Sequence, residues 1–598
     1  MTALVTAFVA AAMIMVMITV SRASNDVVQV VEHSTEARFL GEGALEIAKQ
    51  DLRFAMANSL DEEVPDWYED SADESQFRLE WTEDIAGEEV TYAATAYGPS
   101  RVEEDSAGIQ TIVRPFRLEA RGQSFGSTEP VRRIVDLRVT PIFQFAVFYT
   151  EDLEINPGPN MTLGGRVHSN ADMYLGTNNT LTIDTNYLRA AGGIYRYRKH
   201  SPGTSTGTVR VRKWVENPYD PSEPAQFVTM NSVGQMSSNG VPTVSGYDSN
   251  FEGYDANGDG DFTDSGDWLP WGPGALEFWG EPSGYLGGSG QTVLSEEHGA
   301  GIAEAPGIGS IAMYEEVDAG THIWDPGTQR YVATASGEGT HSPGYFHANA
   351  DLSIITYDNG RWDAFDASGN SVKAALVSAG VVSQDTLYDA RQSTDGTETP
   401  MTELDIAALN ASGLFPANGL LYASHYGLGQ GTDAKGILLH NGSELAGGLT
   451  VVSEGPLYVQ GDFNTVDKKG AAVIGDAVNL LSNSWTGSKS QGTLPKASDT
   501  TYNMAIVTGN HETSVGSYNG GFENLPRFHE KWSNKNCNIT GSFVNAWKSR
   551  YATGEWSYGG DVYAAPKRNW AYDTFFNDVD NLPPFTPRVV TSVDVVSW

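Results

Sequence analysis

Ala3 to Val20 reads ALVTAFVAAAMIMVMITV, 18 residues without one charged side chain. A run of that length is just sufficient to cross the hydrocarbon core of a bilayer as a helix. A secretory signal would carry basic residues before the run and a small-residue cleavage site after it. Here the chain opens with Met1-Thr2 and its first charge is Arg22. The numbering is therefore expected to begin at a processed N-terminus.

The segment that follows extends the constraint. From Ser21 to Leu60 there is no proline, the only glycines are Gly41 and Gly43, and the first proline of the chain is Pro65. Leu45, Ala48, Leu52 and Ala55 recur at helical spacing, with Glu46, Lys49, Gln50 and Arg53 between them. One continuous helix over this span would be roughly 85 Å long at about 1.5 Å per residue. Its first third is apolar all round and the remainder amphipathic. Such a helix is either a membrane anchor with a stalk, or one that waits in a membrane and is then buried among identical helices.

Composition removes several classes of function. The 76 acidic residues against 37 basic ones give a net charge of −39, which repels a phosphate backbone, so no nucleic-acid partner is expected. The single cysteine, Cys537, forms no internal disulfide and excludes zinc ribbons, iron–sulfur centres and haem attachment. Glycine (65) and proline (27) are frequent but aperiodic, which excludes a collagen-like chain.

Met1-Thr2-Ala3-Leu4-Val5, followed by the uninterrupted apolar helix and its amphipathic continuation, resembles the start of mature type IV pilins. The chain departs from that pattern at one position. Most major pilins carry a glutamate at the fifth mature position, where Val5 stands here; some minor pilins and the largest pseudopilin of type II secretion also lack it. The helix-breaking glycine and proline of the family are absent too. The resemblance implies a filament core built on Met1, Thr2, Leu4, Val5, Phe8, Met13, Val16 and Val20. It also implies partners: other copies or other pilins, the inner membrane before assembly, a prepilin peptidase and the pilus assembly machinery. The implied destination is an extracellular filament on the cell surface.

Beyond the helix, residues 61–75 form an acidic, proline-containing hinge. Phe77–Trp81, Val90–Ala96, Gln110–Val113, Phe116–Ala120 and Val131–Thr140 then alternate with period two, predicting a small antiparallel sheet over 61–140 with one buried face. From Phe143 onward short apolar runs recur every eight to twelve residues between Gly, Asn and Asp corners, as in LLYASHYG, GILLHNG and GLTVVSEGPLYVQGDFN. The expected fold class is α+β: a spine helix over 1–60, the small sheet, and a large mainly-β head over 141–598, read as a β-solenoid with a sandwich as the fallback. His168-Ser-Asn170-Ala-Asp172 is echoed by His347-Ala-Asn349-Ala-Asp351, which suggests one structural unit used twice. Residues 141–587 resemble the large head of certain pilus-assembly proteins. The resemblance is carried by Pro157–Pro159, Gly165–Asn170, Leu457–Asn464, Gly520–Phe528 and Ala565–Trp570. It is weak between about 200 and 340, where insertions are expected, and it brings no known chemistry with it.

The sharpest local motif is Asp255-Ala-Asn257-Gly-Asp259-Gly260-Asp261-Phe-Thr-Asp264-Ser-Gly-Asp267. Oxygen donors at positions 1, 3, 5 and 7 with glycine at 6 match an EF-hand-like loop, so Ca²⁺ is the expected cofactor, in a structural role. Position 12 is Gly266, which leaves Asp264 or Asp267 to complete the set. Gly509-Asn510-His511-Glu512 matches one metallophosphoesterase block without its partner block, and Gly203–Gly207 matches a nucleophile elbow without the flanking strand and helix. Neither supports catalysis. His168 and His347 either share a metal or ligand, or satisfy backbone groups at corners. Asn160, Asn178, Asn410, Asn441 and Asn538 stand in glycosylation strings.

The sequence thus reads as a structural filament subunit and not an enzyme. A minor tip pilin, or a membrane-anchored adhesin presenting exposed aromatics for carbohydrate, is the alternative. A polysaccharide-active β-helix enzyme, which requires a cleft of clustered carboxylates, ranks below both.

Overall fold

The computed structural model describes residues 2–58, 78–85, 88–105, 108–124 and 127–200. From 207 to 333 it describes short segments, and from 341 to 597 all but 358–359, 391–396, 426–434, 491, 512, 515–517 and 552–561. The 61–75 hinge and most of the expected insertions lie outside the described residues. The chain is α+β, a long N-terminal helix and a large β-rich body, and it divides into two compact units. Unit 1 comprises residues 1–103, 111–140 and 590–598; unit 2 comprises 104–110 and 141–589.

In unit 1 the helix α1 (Thr2–Asn58) runs unbroken, as the absence of proline requires. The sheet has β1 (Arg78–Ile85), β2 (Glu88–Ala96), β3 (Arg101–Glu104), β4 (Gln110–Ser124) and β5 (Ser127–Pro141). Strand order is β1-β2-β4-β5 followed by the C-terminal strand Arg588–Ser597, with β3 pairing off β4. Pairing is antiparallel, with Tyr92 opposite Ala120 and Phe116 opposite Val135. Period-two alternation puts Val90, Tyr92, Ala94, Phe116, Leu118, Val135 and Leu137 on one face. Ala44, Leu45, Ala48 and Leu52 of α1 cover that face and are wholly buried. Each large side chain removed from water here contributes roughly 1.5–3 kcal/mol. The approach is close enough to require a glycine: a Cβ on Gly122 of β4 would sit 2.9 Å from the Leu40 Cβ and would strike the Ala37 carbonyl.

Charges fasten the edge of this contact. Arg133 of β5 pairs with Glu42 at 2.9 Å, with Glu46, and with Asp594 of the C-terminal strand at 3.3 Å. Lys49 reaches Glu46 at 2.8 Å and Asp594 at 3.4 Å. The head boundary expected at 141–598 is corrected at its end: the last strand belongs with unit 1, whose sheet offers β5 as an edge for it. The helix and the 78–140 sheet, separated in the sequence reading, share one core because neither can bury its apolar face alone.

Unit 2 is built from recurring triplets of short strands. The first is β6 (Phe145–Tyr149), β7 (Leu153–Ile155) and β8 (Met161–Gly164); the second is β9 (Arg166–Ser169), β10 (Met173–Leu175) and β11 (Thr180–Asp184). The third is β12 (Leu188–Ala190), β13 (Ile194–Tyr195) and β14 (Thr208–Arg212). Counterparts pair in parallel: β6 with β9 and β9 with β12, β7 with β10 and β10 with β13, β8 with β11 and β11 with β14. Turns between them need tight corners. At Gly165 (φ 85°), between β8 and β9, a Cβ would lie 2.6 Å from the Tyr572 ring.

The largest sheet has 11 strands, and its order departs from chain order. Strands Leu420–His425, Leu449–Ser453, Ala471–Gly475, Ala505–Asn510 and Phe543–Lys548 stack one after another, and the last pairs in parallel with β6. The chain thus enters this sheet in its middle, runs outward through β9 and β12, and returns from the far end to meet its own start. In-register pairing lines up Leu352, Leu421, Val451, Val473, Ile506, Phe543, Val147, Val167 and Leu188 in one column of buried apolar side chains. Parallel strands buried this fully read as near-continuous apolar runs, and in-register neighbours pack side chain against side chain along the column.

Candidate functional site

Three places carry residues that the sequence singles out or leaves unexplained. The first is the free half of α1. From Met13 to Val20 the large apolar side chains are between 49% and 73% exposed, whereas Ala44, Leu45, Ala48 and Leu52 are wholly buried. Residues Ala10–Lys49 are long and apolar enough to cross a membrane. Two hydroxyls on this helix bond to its own backbone: Thr19 donates to the Met15 carbonyl at 2.8 Å and Thr35 to the Val31 carbonyl at 2.7 Å. A helix meeting its polar demands internally can enter a water-free environment at little cost. Of the residues expected in a filament core, Met13, Val16 and Val20 lie on this exposed surface. Thr2, Leu4, Val5 and Phe8 fall within α1, and Met1 lies outside the described residues.

The second place is the loop 255–267. Gly258, Gly260 and Gly266 have φ of 76°, 83° and 112°, and they turn the chain back on itself. The Asp255 carboxylate accepts from the Gly258 N–H at 2.6 Å and the Gly260 N–H at 2.7 Å; these bonds hold it below the usual carboxylate range. Asn257 Nδ2 donates to Asp259 at 3.0 Å and to Asp264 at 2.9 Å. Asp267 closes the loop, accepting from the Ala256 N–H at 2.8 Å and the Asp264 N–H at 3.0 Å. Asp261 donates its backbone N–H to Asp259 at 2.8 Å. The donors are all oxygen and suit a hard cation. Here they turn toward the loop's own N–H groups, and among the described residues no three His, Cys, Asp or Glu side chains gather as a metal-binding group.

The two histidines of the echoed motif take structural roles in unlike settings. His168 lies on β9, stacks on Phe148 at 5.2 Å and bonds Asn170 at 2.9 Å. His347 lies in a helical turn, Tyr345–Asn349, with Nδ1 3.1 Å from the Met313 carbonyl and its ring 4.8 Å from Tyr422. Burial pushes both down to about 4, so each is neutral at physiological pH. The 11-stranded order puts six strand steps between β9 and Leu420–His425, roughly 29 Å at about 4.8 Å each. The pair cannot share a metal. One unit used twice is also corrected: the same pattern forms a strand in one context and a helical turn in the other.

The third place was not legible as a site. Where Phe543–Lys548 meets β6, a small open cleft is lined by Tyr149, Asp152, Glu154, Lys199, His511 and Asn545, among others. Lys199 pairs with Asp152 at 2.5 Å and Lys548 with Glu151 at 3.3 Å. Glu154 and Tyr149 are 4% and 3% exposed. Glu523 lies behind them, its Oε1 accepting from the Asn156 N–H at 2.9 Å. Burial raises Glu523 to about 7, and burial likewise raises Glu154, an effect moderated by the Thr513 side chain and the Lys199 N–H. Gly521, at φ 60°, is a close backbone approach: a Cβ there would lie 2.8 Å from the Glu154 carbonyl and 3.2 Å from Glu523 Oε2. The sequence signal was present in the Gly520–Phe528 and Gly509–Glu512 runs, but nothing local says that they meet Tyr149 and Glu154. Phe39 and Tyr97, both in unit 1, are the exposed large aromatics among the described residues.

No family model matches the chain, and no curated protein matches it. Among solved structures, the competence-associated pilin ComZ from Thermus thermophilus is similar at a TM-score of 0.26 and 11% identity, over 95% of this chain and 97% of that one. A likeness at that level does not assign a fold.

Proposed function

We propose that the chain is a pilin-like structural subunit, held in a membrane by α1 and drawn from it into an extracellular filament. The observation that carries this reading is the division of labour along one helix. Residues 37–52 hold the subunit's own core, while Met13–Val20 present bare apolar surface on which the Thr19 hydroxyl bonds to the helix backbone. Stacking such surfaces among copies or other pilins buries them, each large side chain contributing roughly 1.5–3 kcal/mol. A prepilin peptidase and an assembly machinery would act on this helix, and unit 2, wound as a solenoid, would face outward. Val5 in place of an acidic residue favours a minor or tip position over a principal building block. The reading is structural and not catalytic.

The 255–267 loop is read as a Ca²⁺ site that stiffens an exposed segment, with Asp255, Asn257, Asp259, Asp261 and either Asp264 or Asp267 exchanging N–H partners for the ion. Limited proteolysis of the full chain should show slower cleavage here with Ca²⁺ than with chelator; identical cleavage in both would sink the assignment.

Electron microscopy of filaments sheared from source cells, with mass spectrometry of the same material, tests the main reading. This chain is expected in the filaments, in quantity or in trace according to its position. Filaments that lack it, with the chain confined to membranes, would leave a membrane anchor and no filament role.

A further inference from the structure

We propose that the free edge of the C-terminal strand Arg588–Ser597 pairs with the same edge of a second copy of this chain, the two strands running antiparallel about a two-fold axis. The strand closes the order β1-β2-β4-β5, and among the described residues no strand pairs with its outer side. Its opening residues Val589 and Val590 are buried, whereas Val593, Val595 and Val596 are 48%, 53% and 49% exposed. Outside α1, the other exposed large apolar side chains among the described residues are Tyr97, Val102, Ile302, Val377 and Val466, each isolated in sequence. Isolated ones are ordinary surface; three together on a bare strand edge mark an interaction site. Edge strands that stay single are short, or carry charges, proline or a bulge. This one is 10 residues long, and after Arg588 it holds no proline and one charge, Asp594.

Charge points to a second copy as the occupant. At a net charge of −39, most approaches between two copies are repulsive. The Asp594 carboxylate, however, is held by Arg133 at 3.3 Å and Lys49 at 3.4 Å. Alternation puts Val593 and Val595 on the face away from it. Antiparallel pairing is self-complementary under a two-fold axis, so one edge serves both partners. The same carboxylate limits the register. An axis through Val593 sets Asp594 opposite Ser592 of the second copy, and an axis through Val595 sets it opposite Val596. An axis through Asp594 would oppose two carboxylates. In either permitted register a valine meets its own counterpart, and the unpaired amides and carbonyls of both edges are satisfied.

Cysteine cross-linking of the detergent-solubilised full chain tests this, the micelle covering the apolar half of α1. The native Cys537 is wholly buried and does not compete. Single variants Thr591→Cys, Val593→Cys and Val595→Cys, with Met17→Cys on the helix, are oxidised at micromolar concentration. On the axis the two Cα atoms stand about 4.5–5.5 Å apart, within disulfide range; two residues off the axis they stand roughly 13 Å apart, beyond it. A disulfide-linked dimer is expected at Val593→Cys or Val595→Cys, at least about tenfold above the other and above Thr591→Cys. The parent should sediment as a dimer. The double variant Val593→Lys with Val595→Lys should sediment as a monomer with unchanged melting, since both side chains are half exposed. Equal yields at the three strand positions, no cross-link on the strand, cross-linking at Met17→Cys alone, or a monomeric parent would each overturn the proposal.

Discussion

The sheet of unit 1 and the largest sheet of unit 2 are built in opposite ways. Unit 1 has an antiparallel sheet that alternates cleanly and needs a foreign surface, the second half of α1, to cover its apolar face. In unit 2 the parallel strands have near-continuous apolar runs, such as LTVVS and AAVIG, and each of these strands is hydrogen-bonded along both edges by its neighbours in the sheet. The first arrangement is local apart from its last strand. The second depends on register across most of the chain. Damage to unit 1 should therefore act through one interface, whereas damage to unit 2 should spread along a column.

Acid should separate the two units most strongly. His168, His347 and His425, all in unit 2, are buried and pushed down to about 4 from an ordinary 6.5. Between those values the unfolded chain takes up protons that the folded one refuses, so unit 2 loses stability as pH falls from about 6.5 to 4. Each histidine accounts for roughly 3 kcal/mol. Glu523, raised to about 7, works in the other direction: its contribution is full below its ordinary 4.5 and is lost as pH rises through 7, offsetting about one histidine. Denaturant unfolding followed by tryptophan fluorescence at pH 7 and pH 4.5 should show the net loss. Equal midpoints would mean that the raised carboxyls, Glu523 together with Glu154, Glu454 and Glu530, offset the histidines in full.

Core truncation sharpens the same contrast. Phe543→Ala, in the stacked column, should cost about 3–5 kcal/mol, and Leu45→Ala, under the antiparallel sheet, about 2–5 kcal/mol. Hydrogen exchange should map the first to β6 and to Ala505–Asn510, and the second to β2 and β4. Exchange rising across both units for either variant would show that they open together. The smallest effect on stability is expected from Met17→Ser, on the exposed half of α1, within about 0.5 kcal/mol. Its incorporation into filaments should nevertheless fall, and unchanged incorporation would remove this surface from assembly.

The legible parts of the fold were those with short-range causes. An uncharged run without proline dictates α1, and strict alternation over Val131–Thr140 dictates β5. Less was legible where distant residues decide. His347 sits in a helical turn because Tyr422 and the Met313 carbonyl receive it, although its neighbours in sequence match those of His168 on a strand. The strand Arg588–Ser597 reads as another head strand until the open edge of β5 is known. The cleft draws on Tyr149, Lys199, His511 and Asn545, which no periodicity connects. In the 255–267 loop Gly258, Gly260 and Gly266 adopt the positive φ that its turns require.

The junction of Phe543–Lys548 with β6 has a further consequence. The Thr150 N–H donates to the Asn545 carbonyl, and the Ser542 hydroxyl to the Phe145 carbonyl, across separations of 395 and 397 residues. A ribosome delivers β6 early and its neighbour almost last. Until then one edge of β6 is a naked row of amides and carbonyls, open to any passing strand. A product terminated before Phe543 would keep that edge exposed.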